Sequence, residues 1–234
     1  MLRLLSADRL GDHPRLAEEM FRHRAAQFRD RLGWDVRVDA TGRERDAYDD
    51  LDPLYLIWQR ADGGHGGSFR LMPTVGRCMV NEHFADLAGR IASPFIWEVT
   101  RFCLAPGAER RVAAALMLGG GAVMRAAGLD HLLGVFDARM ERIYTRIGAA
   151  PEVLGRHGTG RDRIGVGLWR LTPQAETRVA ARAGLSSDLV ARWIARDFDA
   201  APAPVPVRSA RACGMAPLAA RPRVPAGRAE ASWP

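Results

Sequence analysis

Three charged side chains sit inside runs that otherwise read as strand: Arg70 in SFRLM, and Glu98 and Arg101 in FIWEVTRFCL. A charge carried into a sheet must pair or face a cleft, because an unpaired buried charge is strongly destabilising. A single ion pair would satisfy that demand. Two arginines and one glutamate from different strands point further, to a cleft that holds a carboxylate and manages a proton. Alternation along the second run puts Ile96, Glu98, Thr100 and Phe102 on one face and Trp97, Val99, Arg101 and Cys103 on the other. Glu98 and Arg101 can therefore serve one site only if a bulge or twist re-aims one of them.

The rest of the chain supplies the layers for such a sheet. Leu16, Met20, Phe21, Phe28 and Leu32 recur at helical spacing between Pro14 and Leu32, with Gly33 as a stop. Strands are expected at Val36–Val38, Leu54–Arg60 and Ser68–Met72, the last two joined by the glycine-rich ADGGHGG. After the Phe95 strand come a helix from Ala108 to Ala127, a strand at His131–Phe136, a helix from Ala138 to Ile147, and strands near Val153 and over Ile164–Leu171. Two short helices, Gln174–Ala183 and Ser187–Asp197, follow. Strand–helix alternation of this kind predicts an α/β three-layer sandwich with a mixed sheet. One domain is expected over 1–199. Residues 200–234, rich in Pro, Ala and Arg, read as a disordered or extended tail.

Composition removes several functions. The apolar run from Val112 is too short and glycine-rich to cross a bilayer, and charges fall within the first ten residues, so no membrane span or signal peptide is expected and the chain reads as cytoplasmic. Cys78, Cys103 and Cys213 have neither C-x-x-C spacing nor a nearby histidine, which predicts buried thiols and no metal site. All 34 basic residues are arginine, and the net charge of +7 favours an anionic partner. The arginines are interspersed with acids and placed singly in strands, against a nucleic-acid-binding face. No G-x-S-x-G is present, Gly119–Gly121 lies in a helix and cradles no phosphate, and GRHGTGR at 155–161 reads as a basic loop.

Two clusters stay open on physics alone. Asp46 and Asp49 in ERDAYDD are either a solvated acidic loop or a site for a cation, an organic one in preference to calcium, whose loop pattern is absent. Arg24, Phe28 and Trp34 are either helix-to-core packing or an aromatic wall for a cationic ligand.

The order of these residues carries a resemblance. Arg24, then Phe28 and RLGW ending at Trp34, D-x-x-D at Asp46 and Asp49, S-x-R at Arg70, H-F at Phe84 and E-x-x-R-F over Glu98–Phe102 together resemble the N-acyl-homoserine-lactone synthases, the LuxI-type autoinducer synthases. A weaker likeness continues through TRIGA at 145–149. The resemblance implies a fold similar to the N-acetyltransferases, with a cleft between sheet halves. It implies S-adenosylmethionine as a substrate, with no cofactor, and an acyl thioester on acyl carrier protein or coenzyme A as donor. It also implies roles: Glu98, Arg70, Arg101, Asp46 and Asp49 at the chemistry, and Arg24, Phe28, Trp34, Phe84 and Phe102 around S-adenosylmethionine. The acyl pocket is expected from Leu116 to Met124, Val135 and Ile143, with Val99, Met117, Gly120, Gly134, Phe136 and Met140 named within it. Gly134 stands where relatives making 3-oxo products tend to carry threonine, which leans away from 3-oxo chains. Gly119–Gly121 either widens that pocket or permits close helix–sheet packing. The nearest rival, a general acyl-coenzyme A N-acyltransferase, predicts a pyrophosphate loop that the chain lacks in register.

Overall fold

The first strand was not anticipated. Leu2, Leu4 and Leu5 in MLRLLS are all fully buried, Leu2 and Leu4 on one face and Leu5 on the other, which makes Leu2–Ser6 a strand (β1) covered on both sides. In the computed structural model, which describes residues 1–198, this strand opens a seven-stranded sheet in the order β1-β2-β3-β4-β5-β7-β6. The others are β2 (Leu54–Gln59), β3 (His65–Pro73), β4 (Ile96–Leu104), β5 (His131–Asp137), β6 (Glu152–His157) and β7 (Ile164–Trp169). All neighbours are antiparallel except β4 and β5.

Helices cover both faces, as the alternation required. On one side α4 (Arg110–Ala126), α6 (Pro173–Ala183) and α7 (Ser187–Phe198) bury Leu54, Leu56, Phe69, Leu71 and Trp97 of the sheet. On the other, α1 (Pro14–Ala25) packs Leu16, Met20 and Phe21 on Leu5, Tyr55 and Ile57. The short α2 (Met79–His83) sets Val80 on Leu133 and Val166, with α3 (Ala85–Ala88) beside it. Finally α5 (Ala138–Ile147) starts where the Asp137 carboxylate accepts the Met140 amide at 2.6 Å and ends at left-handed Gly148.

A cleft follows from the one parallel seam. Pairing of β4 with β5 runs from Ile96↔His131 to Val99↔Gly134 and stops, although β4 continues to Leu104 and β5 to Asp137. Beyond Val99 the strands part. On its other edge β4 carries the bulge that the Glu98–Arg101 conflict called for: Ser68 faces Cys103 and Arg70 faces Thr100, two steps on β3 against three on β4. Arg101 occupies the bulge with φ 55°, a left-handed conformation that a non-glycine residue adopts only where its surroundings enforce it.

Several expectations need correction. Val36–Val38 forms no strand, only an isolated bridge from Val38 to Glu44, because no neighbouring strand lies along it. The helix from Pro14 closes with a π turn over Ala26–Arg31. His65 and the glycines after it belong to β3, leaving a tighter hairpin. Gly155–His157 lies in β6, so only its continuation is loop. Cys78 and Cys103 are buried thiols, pushed up by burial to about 11 and about 12. Cys213 and the 200–234 tail lie outside the described residues.

The Gly119–Gly121 run is packing. A Cβ on Gly119 would come within 2.8 Å of Leu2 and Leu56, and one on Gly121 within 2.9 Å of Leu171, so α4 lies flush on the sheet and on its neighbours. Gly155 is tighter still, since a Cβ there would run into the backbone carbonyl of Leu87 in α3. Gly155→Ala is expected to destabilise the fold by about 1–3 kcal/mol, read as a lower denaturant midpoint.

Candidate functional site

Two buried arginines and a partly buried third need carboxylates, and one short segment supplies three. Arg24 donates from Nε to Glu44 at 2.6 Å and from both terminal nitrogens to Asp49 at 2.8–2.9 Å. Arg70 forms a two-pronged pair with Asp46, lies 2.8 Å from Asp49, and donates from Nε to the Thr100 hydroxyl at 3.0 Å. Arg101 reaches Glu44 at 2.9 Å and Asp46 at 2.8 Å. The acids are held by their own turn: Asp49 accepts the Asp46 amide and Asp46 the Tyr48 amide, each at 2.9 Å. Tyr55 donates its hydroxyl to Asp49 at 2.8 Å. The acidic run is thus an internal ionic block and not a solvated loop.

Electrostatics inside the block are one-sided. Burial works against ionising Asp46 and Asp49, but Arg101 and Arg70 at the first and Arg24 and Arg70 at the second outweigh it and hold both carboxyls below the ordinary range. Both acids therefore bind fewer protons folded than unfolded. The stability they confer is complete above the unfolded carboxyl value of about 3.9 and is lost as pH falls toward the depressed folded values. Urea midpoints measured downward from pH 5 are expected to fall, and an Asp46→Asn variant to show a shallower decline.

Glu44 was missed from sequence. It is fully buried, its amide donates to the Phe21 carbonyl of α1 at 3.1 Å, and its carboxylate bridges Arg24 and Arg101. The available signal lay in the segment itself, where E-R-D-A-Y-D sets a third acid two residues before Asp46.

An aromatic wall stands beside the block. The π turn and left-handed Gly33 fold the chain back so that the Trp34 amide donates to the Phe28 carbonyl at 2.8 Å. Their rings stack at 5.1 Å and 17°, and the Arg101 guanidinium lies 5.4 Å from the Phe28 centroid.

Between wall and parted strands lies a cleft of about 1840 Å³. Phe28, Trp34, Asp46, Tyr48, Phe84, Thr100 and Arg101 line it. Val99, Phe102, Leu104, Ala113, Val135, Phe136, Met140, Ile143 and Tyr144 supply its apolar lining, with Asp137, Arg139 and Arg142 also on its border. Of the residues expected there, Phe28, Trp34, Asp46, Phe84, Val99, Arg101, Phe102, Phe136 and Met140 do border the cleft.

Others do not. Arg24, Arg70 and Asp49 are at most 3% exposed and sit behind the wall, their charged groups taken up by the ionic block. Glu98 is buried and off the cleft lining as well: its two oxygens accept the amides of Val80 at 2.6 Å and Met79 at 3.0 Å, anchoring α2, and burial pushes its carboxyl above the usual range despite those bonds. Met117 and Gly120 of α4 pack on the core, because the glycine run leaves no gap between helix and sheet; of α4 only Ala113 reaches the cleft. Gly134 faces the Trp169 ring, where a Cβ would fall 3.1 Å away, and lines nothing. Among the described residues no cluster could hold a metal ion, and no helix is long and apolar enough to cross a membrane.

The layered sheet with one parallel seam opening into a cleft defines the class. A Lactobacillus plantarum protein assigned as an N-acetyltransferase superposes with TM-score 0.50 at 13% identity, covering 73% of this chain and 99% of its own. The chain thus has the N-acetyltransferase-type fold. Within that class it belongs to the autoinducer synthase family, whose model matches residues 9–179. An acyl-homoserine-lactone synthase from Rhizobium etli is 43% identical over 195 residues, covering 80% of this chain and 91% of the relative. The solved acyl-homoserine-lactone synthase MesI, described as CoA-dependent, superposes with TM-score 0.70 at 24% identity, covering 80% and 96%.

Proposed function

We propose that the cleft carries out N-acyl-L-homoserine lactone synthesis, making a quorum-sensing signal. The observation that carries this reading is one cleft lined both by charged and aromatic side chains and by a set of apolar ones, beside the point where β4 leaves β5. S-adenosylmethionine brings a sulfonium, an ammonium and a carboxylate, which suit Trp34, Phe28 and Asp46 on the cationic side and Arg101 on the anionic one. The acyl chain of a thioester suits the apolar lining.

The amine nitrogen attacks the thioester carbonyl carbon, the carbon–sulfur bond breaks and the thiol leaves. The carboxylate oxygen then attacks the carbon γ to it, the bond to the sulfonium sulfur breaks, and methylthioadenosine departs as the ring closes. The ammonium must first lose a proton, and Glu98, its carboxyl raised by burial, takes it through water past Met79. Backbone N–H groups of β4 left without a β5 partner beyond Val99 are placed to receive the developing oxyanion. Arg70, Arg24 and Asp49 act behind the wall by fixing Asp46 and, through Glu44, Arg101. No cofactor enters, since S-adenosylmethionine is consumed, and the reaction is placed in the cytoplasm, where that substrate is made.

The donor is acyl carrier protein or acyl-coenzyme A. Arg37, Arg45, Arg142 and Arg161 border the cleft and give it a basic mouth suited to an acidic carrier protein. With a carrier-protein donor, kcat/KM is expected to fall several-fold as ionic strength rises from about 0.05 to 0.3 M, through KM more than kcat. The decisive assay incubates purified protein with labelled S-adenosylmethionine and a panel of acyl thioesters. Equal amounts of acyl-homoserine lactone and methylthioadenosine support the reading, and no lactone from any donor overturns it.

A further inference from the structure

Beside the apolar residues of the cleft lies a phenol hydroxyl without a hydrogen-bond partner among the described residues. Tyr144 of α5 borders the cleft but is only 6% exposed. Its ring is gripped edge-on by Phe102 and Phe136 at 6.2 Å and by Trp169 at 5.1 Å. Its hydroxyl makes no hydrogen bond among the described residues. Of the polar groups nearby, the Trp169 indole donates to the Ala149 carbonyl at 2.8 Å, the Asp137 carboxylate accepts the Met140 amide at 2.6 Å, and the Thr100 hydroxyl accepts from Arg70 at 3.0 Å and keeps its own proton to donate. A buried phenol is ordinarily partnered, and one left open toward a ligand cavity calls for a ligand oxygen.

Building on the synthase reading, we propose that Tyr144 is a specificity-determining residue whose hydroxyl hydrogen-bonds an oxygen substituent on the acyl chain, so that the enzyme prefers hydroxy- or oxo-acyl thioesters to unsubstituted ones. Around it Val99, Phe102, Val135, Phe136, Met140 and Ile143 offer this oxygen only apolar side chains, while Asp137, Arg139, Arg142 and Arg163 also border the cleft. The phenol stays protonated, burial and then Asp137 raising it above its ordinary range, and so it can donate to a ketone or a hydroxyl oxygen alike. Accepting as well as donating, it suits a hydroxyl by either route. This modifies the expectation drawn from Gly134, because recognition of a chain oxygen no longer depends on a threonine at that place.

The test compares 3-hydroxyacyl, 3-oxoacyl and unsubstituted thioesters of equal length on the wild-type protein and on Tyr144→Phe. Wild type is expected to favour one or both oxygenated donors by about ten- to a hundredfold in kcat/KM, and the variant to bring that ratio close to one by losing rate on the oxygenated donors. The arm that responds tells ketone from hydroxyl. A wild-type preference for unsubstituted donors, or a variant that keeps the discrimination, overturns the proposal. So does an equal loss on all donors, which assigns the hydroxyl to the reacting centre. Dissociation constants for the same coenzyme A thioesters, followed by tryptophan fluorescence, read the same ratio without turnover. They therefore separate failure here from failure of the synthase reading, which shows as no lactone from any donor.

Discussion

Glu44→Ala is expected to lower the unfolding free energy by about 3–5 kcal/mol, the usual loss when one partner is taken from a buried ionic cluster. Removing this carboxylate strips Arg24 of the acceptor for its Nε and Arg101 of its two-pronged partner. Arg24 is 1% exposed and cannot turn to water. Glu44→Gln keeps the shape and one acceptor oxygen but not the charge, and is expected to lose less. Urea unfolding of the two variants beside wild type checks the order. A Glu44→Ala protein within about 0.5 kcal/mol of wild type, the range of an ordinary surface substitution, would show that the block does not support the fold.

Glu98→Gln is expected to reduce turnover by about 10²–10⁴-fold, the range for loss of a positioned general base. Fold and activity separate cleanly in this variant. The amide keeps a carbonyl oxygen for one of the two α2 amides, so the lost anchoring is comparable with a weakened helix cap, about 1 kcal/mol. Circular dichroism and the urea midpoint should therefore stay near wild type while lactone formation collapses. Near-normal turnover would remove Glu98 from the chemistry and leave it as the anchor of α2.

The fold could be read where periodicity and charge left one solution. The helix expected over Ala138–Ile147 forms with those bounds, and its ends are set locally, by the Asp137 cap and left-handed Gly148. A bulge on β4 was expected if Glu98 and Arg101, three residues apart, serve one site, and β4 does carry one, with Arg101 in it. Reading failed where tertiary partners decided. β1 is five residues long and owes its existence to pairing with β2 and to cover from α7, neither visible in MLRLLS. Val36–Val38 has the composition of a strand but lies along no sheet edge. At the site, Arg24, Arg70, Arg101, Asp46 and Asp49 come together in one ionic block, yet their depth was illegible. Whether Arg24 or Arg70 faces ligand or backs the wall depends on Glu44 and on the Asp46–Asp49 turn. The apolar lining of the cleft was expected from α4 and comes instead from α5 and the strands, because a glycine run that looks like open space in sequence is the sign of surfaces in contact.

The ionic block is built from guanidinium groups alone, in a chain without lysine. Arginine keeps its proton throughout the range in which proteins survive, whereas an ammonium begins to discharge near pH 10. The block can therefore be dismantled from one direction only. Acid removes its anions, but alkali finds nothing on the cationic side to neutralise, so the wall that holds Asp46 and Arg101 toward the cleft should keep its form well past the pH at which a lysine-built equivalent would loosen.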